Sequence, residues 1–378
     1  MRTMPASDVR LLEPDEFREA MELAELCFGR APGNLERRMP HCFDEEHPER
    51  HAVVEVGGEL VSHVVCVPAT LRAGPARIDC VGIAGVATHP DHRGNGHMSA
   101  LLEFWLERLD DRAIPIAELE GDRRRYGRFG WENAGREHRY RITERSFDGA
   151  GGDPEAVRPL EGTDLDSLMA VHETERYGVA RDRRRYGQLL GQAGLETVVT
   201  EDGAFSYLSY RGNDLASVLE FGGTPSGIRD LVAATLERAS KLEVYTHPRH
   251  PLDPVFRSVA TDWSTIPHRK LNILDLAGLL AAYQPFLTER WARFRPVLDP
   301  TDSTVSLGID GGQAVTLRFG ETVTVERTDG TPDISLDRRR MVDFLFGSPH
   351  RYWPIDDSFP ELEVVLPLEY YFWETETI

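Results

Sequence analysis

The densest chemistry in the sequence sits at Arg93-Gly94-Asn95-Gly96-His97-Met98-Ser99. This segment follows a β-rich run at 77–87 and opens an amphipathic pattern. Met98, Leu101, Leu102, Trp105 and Leu109 recur at i, i+3, i+4, i+7 and i+11, which predicts a helix. A strand, a glycine-containing loop and a helix start together make an anion site. Free N–H groups and the positive end of the helix dipole point at the bound charge. Glycines let a pyrophosphate approach the backbone, and Arg93 adds charge-assisted contacts. The loop is not a Walker loop, because no G-K-[ST] follows, and it lacks the G-x-G-x-x-G dinucleotide fingerprint. A plain strand–helix turn, with glycines for tightness, stays open as the alternative.

Other reactive groups lie nearby in sequence. Glu118 and Glu120 are two apart in the run 114–120, so a strand there puts both on one face. They suit a cationic amine or a proton relay, or else a solvated face. Tyr126 is protonated at neutral pH, with a reference pKa of about 10, and is able to donate a proton. Its other reading is a packed aromatic beside Phe129 and Trp131. His89, His92 and His97 surround the glycine loop without the spacing of a metal set, so no metal is expected. Arg123, Arg124 and Arg125 either meet a ligand phosphate or form a solvated face. Cys27, Cys42, Cys66 and Cys80 form no C-x-x-C pair, which points to free thiols in a reducing cytoplasm.

The elements that must position these groups are legible in outline. Residues 14–28 read as a helix stopped by Gly29. The runs 51–56 and 60–67 flank Gly57-Gly58 as a hairpin, and 77–87 reads as a further strand whose Gly82 and Gly85 suggest a bulge or close approach. Residues 136–142 alternate like another strand, and Asp148 to Pro154 is a Gly-rich linker. Beyond it, helices are expected at 164–175, 181–192 and 227–239, with strands at 196–200, 204–210, 215–221 and 242–246. The last block has strands at 304–309, 313–318 and 322–326, then a helix near 337–346. Asp122-Arg123-Arg124-Arg125-Tyr126-Gly127 recurs at 182–187, a coincidence in an Arg-rich chain.

Composition sets the outer bounds. The chain has 378 residues, long enough for two or three domains. Asp and Glu total 63 against 43 Lys and Arg, a net charge of −20. That balance argues against nucleic-acid partners, which need a basic face. The opening Met-Arg-Thr-Met-Pro-Ala-Ser has no apolar core of a signal peptide, and no run of about 20 apolar residues exists, so no membrane partner is expected.

The segment from Val86-Ala87-Thr88-His89 through Met98-Ser99 resembles motif A of the GNAT superfamily of acyl-CoA N-acyltransferases, V-x-x-x-x-R-x-x-G-x-G/A. Arg93 and Gly96 match it, and Met98 occupies its final small-residue position. Tyr126-Gly127-Arg128-Phe129-Gly130-Trp131 resembles a second segment of the same superfamily, Y-G-R-F-G-[FYW]. The whole length is similar to the Enhanced intracellular survival (Eis) branch, through Val218 to Gly223, Leu271 to Leu276 and Leu336 to Gly347 as well. The fold this implies is α+β (α/β mixed-sheet): a catalytic GNAT domain at 1–148, a second GNAT-like domain lacking a cofactor loop at 155–285, and a sterol-carrier-protein-like domain at 286–378.

The resemblance also implies roles. The backbone of Val86 and Ala87 meets the pantetheine and acetyl carbonyl of acetyl-CoA, and the amides of Gly94, Asn95, Gly96, His97, Met98 and Ser99, with Arg93, hold the pyrophosphate. Tyr126 matches the branch's general acid. The chain's own terminal carboxylate, here on Ile378, stands where that branch brings its C-terminus into the active site. The expected activity is direct acetyl transfer to a primary amine, with a cationic small molecule as acceptor. A protein or peptide amine, or a non-catalytic CoA- or lipid-binding role, stays open. The branch also implies a homo-oligomer, commonly a hexamer.

Overall fold

The computed structural model describes residues 9–201, 203–298, 303–347 and 359–378. The opening segment 1–7, read for a leader, lies outside them. The chain forms two compact units that interleave in sequence. One takes Met1–Gly135, Arg269–Tyr370 and Ile378, and the other takes Arg136–His268 and Tyr371–Thr377.

The main sheet of the first unit is built from β1 (Val9–Leu11), β2 (His51–Val56), β3 (Glu59–Ala73), β4 (Ala76–Thr88), β5 (Ile116–Leu119) and β6 (Glu132–Ala134). Its order is β1-β2-β3-β4-β5, then the strand Arg269–Ile273, then β6. The expected hairpin forms across Gly57-Gly58, and its second strand runs on to Ala73. The helices are α1 (Phe17–Phe28), α2 (Asn34–Arg38), α3 (His97–Asp111) and α4 (Arg123–Gly127).

These strands carry nearly continuous apolar runs because both faces are covered. Leu101, Leu102, Trp105 and Leu109 of α3 pack with Val54, Val64 and Ile83 on one face. Phe17, Ala20, Met21 and Ala24 of α1 pack with Val53, Val65 and Ala84 on the other. Each large apolar side chain so buried contributes about 1.5–3 kcal/mol. The buried Glu25 of α1 accepts the N–H groups of Gly33, Asn34 and Leu35 at 3.0, 2.6 and 3.2 Å, which anchors the start of α2.

One feature of this sheet shapes the site. β4 and β5 are the parallel neighbours, paired only over Cys80↔Ile116, Val81↔Ala117 and Gly82↔Glu118. β4 continues past β5 to Thr88, still paired with β3, and that register slips between His63 and Val65 opposite Gly85, which has φ +58°. The bulge turns the end of β4 away and leaves a fork between the two strands.

The C-terminal part of this unit begins with the helix Leu276–Leu298, which contains Pro285 and Pro296. That helix runs through the residue pair 285/286. A four-stranded sheet follows in the order Val323–Arg327, Ala314–Phe319, Ser303–Ile309, Ile334–Leu336, then the helix Arg338–Phe346. These three antiparallel strands and the helix lie within two residues of the expected ranges.

The sheet of the second unit runs in the order Asp262–Ile266, Glu137–Thr143, Lys241–Thr246, Leu215–Gly222, Ser206–Arg211, Glu196–Thr200, Arg158–Pro159. It too has one parallel pair, Leu215–Val218 against Lys241–Val244. The strand Glu137–Thr143 thus belongs here, although it precedes the Gly-rich linker. Reciprocally, Arg269–Ile273 completes the sheet of the first unit between β5 and β6. Strand exchange of this kind leaves no local trace, because each strand carries only its own alternation.

Candidate active site

A cleft of about 940 Å³ opens at the end of β4 and the start of α3. Val86, Ala87, Arg93, Gly94, Asn95, Gly96, His97, Met98 and Ser99 all line it, so the nine residues singled out for the acyl donor stand together. The walls also include Cys27 and Phe28 at the end of α1, Val56, Arg125 and Arg128. Sequence reasoning missed the first three, because nothing local links the end of α1 or the tip of β2 to the glycine loop.

The loop has the geometry of an anion cradle. Gly94 and Gly96 have φ of +83° and +90°, the left-handed region that favours glycine, and a Cβ at either meets no atom within 4 Å. The space beside both is therefore open. Gly96 is the N-cap of α3 and supplies no side chain to the first turn, so this 15-residue helix presents its first N–H groups to the cleft. Arg93 Nε donates to the Thr88 carbonyl at 3.2 Å, Asn95 Nδ2 donates to the His92 carbonyl at 3.1 Å, and Arg128 Nη2 donates to Ser99 Oγ at 3.0 Å. Three guanidinium groups and a helix start give the cleft a positive lining. His97 is buried as the first residue of α3, and the half-buried Met98 packs against the core cluster.

The fork holds a second group of predicted residues. Glu118 is 2% exposed, and an added Cβ on Gly82 stands 3.2 Å from its Oε1 and 2.7 Å from Ile378 Cδ1. The structure therefore brings Glu118 and the terminal residue to the same point on β4. Glu120 differs from expectation. β5 ends at Leu119, so Glu120 does not share a strand face with Glu118; it is exposed and ion-paired with Arg269.

Tyr126 is 6% exposed in the same core cluster as Trp131, with Val86, Met98 and Phe129 packed against that cluster. It does not line the cleft, although Arg125 and Arg128 on either side do. Asp122 caps its short helix, accepting the Arg125 N–H at 2.7 Å. Burial raises the Tyr126 hydroxyl above its ordinary pKa, against a smaller pull from Arg125, so it stays protonated. Of the arginine run, Arg125 faces the cleft while Arg123 is engaged by Glu132.

The thiols are all reduced. Burial pushes Cys66 up to about 12 and raises Cys80 well above its ordinary value. Cys27 lines the cleft, but burial raises its thiol too, against the pull of Arg93, so none of these three is a ready thiolate.

In the second unit, Glu137, His268 and Glu374 bring one donor atom each within 4.8 Å of one another. His268 Nε2 accepts the Phe372 N–H at 2.9 Å, which assigns the ring proton to Nδ1, 2.9 Å from Glu137 Oε2. The ring therefore acts as a hydrogen-bond bridge, with no lone pair toward the carboxylates.

A family profile for the acetyltransferase (GNAT) domain matches residues 8–134. No curated protein matches the chain in sequence. Among solved structures, a GCN5-related N-acetyltransferase from Kribbella flavida has a TM-score of 0.72 at 20% identity, covering 98% of this chain and 99% of that one. A GCN5-related N-acetyltransferase from Anabaena variabilis has a TM-score of 0.69 at 14% identity, covering 90% and 89%. Eis1 from Mycobacterium abscessus has a TM-score of 0.64 at 20% identity, covering 95% of each chain. Among the described residues no helix is long and apolar enough to cross a membrane. The profile match identifies residues 8–134 as a GNAT acetyltransferase domain, which supports an acyl-CoA N-acyltransferase.

Proposed function

We propose that the chain moves an acetyl group from acetyl-CoA directly to the primary amine of a cationic small molecule. The observation that carries this reading is the cleft where α3 begins without a side-chain cap, beside two glycines with open space and three arginines. That lining suits a pyrophosphate, with Arg93 and the amides of Gly94 to Ser99 as its holders and the cleft-lining backbone of Val86 and Ala87 for the thioester carbonyl.

In the transfer, the neutral amine attacks the thioester carbon and the C–S bond breaks. The amine's excess proton goes to a carboxylate, and the CoA sulfur takes a proton from the Tyr126 hydroxyl. The meeting of Glu118 with Ile378 at Gly82 supports Glu118 as the group that attracts the ammonium form, and the terminal carboxylate of Ile378 as the base. Glu120, paired with Arg269, is left as a peripheral attraction for the same cation. The raised, unactivated thiols favour direct transfer over an acyl-cysteine. The net charge of −20 supports a cationic acceptor through long-range attraction.

The remaining assignments follow the Eis resemblance. We take the GNAT-like domain without a cofactor loop, expected at 155–285, to be the unit Arg136–His268. In support, the helix Pro225–Leu236 is closed at its start by Thr224 Oγ1, which accepts the Gly227 N–H at 3.1 Å. Residues 286–378 are the sterol-carrier-like part, and the protein is a cytoplasmic homo-oligomer of the kind that branch forms. The test is CoA-thiol release from acetyl-CoA over aminoglycosides, polyamines, arylamines and lysine peptides. Wild type is run beside Tyr126→Phe and a chain lacking Ile378. Release that needs a small cationic amine and collapses in Tyr126→Phe upholds the reading; release only on peptides, or none with acetyl-CoA still bound, overturns it.

A further inference from the structure

The segment that carries Tyr126 is held from outside the acetyltransferase domain. Glu132 of β6 is 4% exposed and takes two guanidinium groups at once. Arg123, at the start of α4, gives it Nε and Nη2, the latter at 2.7 Å from Oε2. Arg339, on the helix Arg338–Phe346, gives Nη2 to the same Oε2. Burial works to raise the Glu132 carboxyl, yet Arg123, the Asn133 N–H and Arg339 hold it below the usual carboxylate range.

The fit is steric as well as ionic. A Cβ on Gly127, the residue after Tyr126, stands 3.1 Å from Arg339 Cζ, so the guanidinium lies against that backbone. Three residues on, a Cβ at Gly130 stands 2.8 Å from Arg338 Cδ and 2.7 Å from Asn272 Oδ1. Asn272 Nδ2 donates to the Phe129 carbonyl at 3.0 Å. All of these residues belong to the first unit. A five-residue helix has too little hydrogen bonding to fix itself, so its orientation comes from these contacts.

We infer that Arg339, acting through Glu132 and Arg123, is a positioning residue for Tyr126, so that the C-terminal part of the chain sets the proton donor of the reaction. The inference rests on Tyr126 as that donor. Arg339 is not among the residues lining the cleft, so the clamp orients the acid without touching the acyl donor. Misplacing a reacting group by a fraction of an ångström lowers turnover while leaving ground-state binding in place.

The experiment measures kcat and KM for acetyl-CoA in Arg339→Met, Arg339→Lys and Arg123→Met, each alone and in a Tyr126→Phe background. Hydrogen exchange of the peptide 121–131 is followed in parallel. The clamp predicts a kcat loss of about tenfold in both Met variants with KM for acetyl-CoA within about twofold of wild type. It further predicts partial rescue in Arg339→Lys, faster exchange in 121–131, and no added loss on top of Tyr126→Phe. Unchanged kcat in the Met variants, or a loss that multiplies undiminished with that of Tyr126→Phe, overturns the inference. If Tyr126→Phe turns over like wild type, the acid reading falls by itself. Exchange in 121–131 then decides the clamp: faster in Arg339→Met keeps it, unchanged removes it. Arg123→Met breaks the clamp from the other side and guards against a folding defect confined to the helix Arg338–Phe346.

Discussion

Ile378 packs its side chain against the Cα of Gly82, and the carboxylate of Glu118 lies at the same place. The last residue of the chain therefore sits at the last paired position of β4 and β5, where the fork begins. A side chain at Gly82 has nowhere to go unless Ile378 yields. Gly82→Ala is expected to lower kcat about tenfold while the acetyl-CoA dissociation constant stays within about twofold. Deleting Ile378 alone is expected to cost more, because it removes the proposed base and moves the new carboxylate back by one residue. Steady-state kinetics beside calorimetric titration with acetyl-CoA separates the two parameters.

The glycine loop makes the opposite pattern. A Cβ at Gly96 meets no protein atom, so Gly96→Ala strains only the left-handed backbone, by about 1–2 kcal/mol. The new methyl instead occupies the open space proposed for the pyrophosphate. Acetyl-CoA binding is expected to weaken more than tenfold, a cost above about 1.4 kcal/mol, with only a small drop in melting temperature. A melting temperature that collapses with affinity unchanged reverses this account.

Tyr126 is expected to act as an acid across the physiological range. Burial raises its hydroxyl above the ordinary tyrosine value, so the protonated, active form persists as pH rises and is lost only on the alkaline side. Tyr126→Phe is expected to reduce kcat by about 10²-fold or more without weakening acetyl-CoA binding. The alkaline limb of kcat against pH disappears with it. An alkaline limb that survives in Tyr126→Phe belongs to another group.

In the second unit, Arg181 is buried between Glu220 and Glu376, with Nη1 2.8 Å from Glu220 Oε1 and Nε 2.9 Å from Glu376 Oε1. Burial works to raise Glu220, but Arg181 draws it down to about 2. Its folded pKa is thus below its unfolded one. The stabilisation is complete above the unfolded value near 4.5 and is lost as pH falls from there toward 2. Acid unfolding of Glu220→Gln is expected to show a shallower dependence over that window. Arg181→Met, which strands two buried carboxylates, is expected to cost about 3–5 kcal/mol by chemical denaturation at neutral pH.

The donor side of the site was legible because its signals are local. Arg93, Gly94, Gly96 and the period of α3 are contiguous, and backbone conformation and helix dipole follow from neighbours in sequence. The outer strands and helices were legible for the same reason. Glu120 was placed on a strand face because alternation continues past Leu119, whereas β5 ends at Leu119 and Glu120 is exposed beside Arg269. Cys27, Phe28 and Val56 reach the cleft from distant turns, and Arg339 meets Glu132 across 207 positions of sequence. Such contacts depend on where the sheet carries each segment, which no window of residues encodes.

The route of the strand Arg269–Ile273 has a consequence for synthesis on the ribosome. β5 and β6 each pair with that strand rather than with one another. While the chain is being made, the sheet of the first unit lacks an inner strand until residue 273 has emerged from the exit tunnel, and Arg339 arrives later still. The nascent acetyltransferase domain thus waits with an open apolar edge while residues 136–268 are translated, the interval in which a chaperone that covers exposed strands has the most to protect.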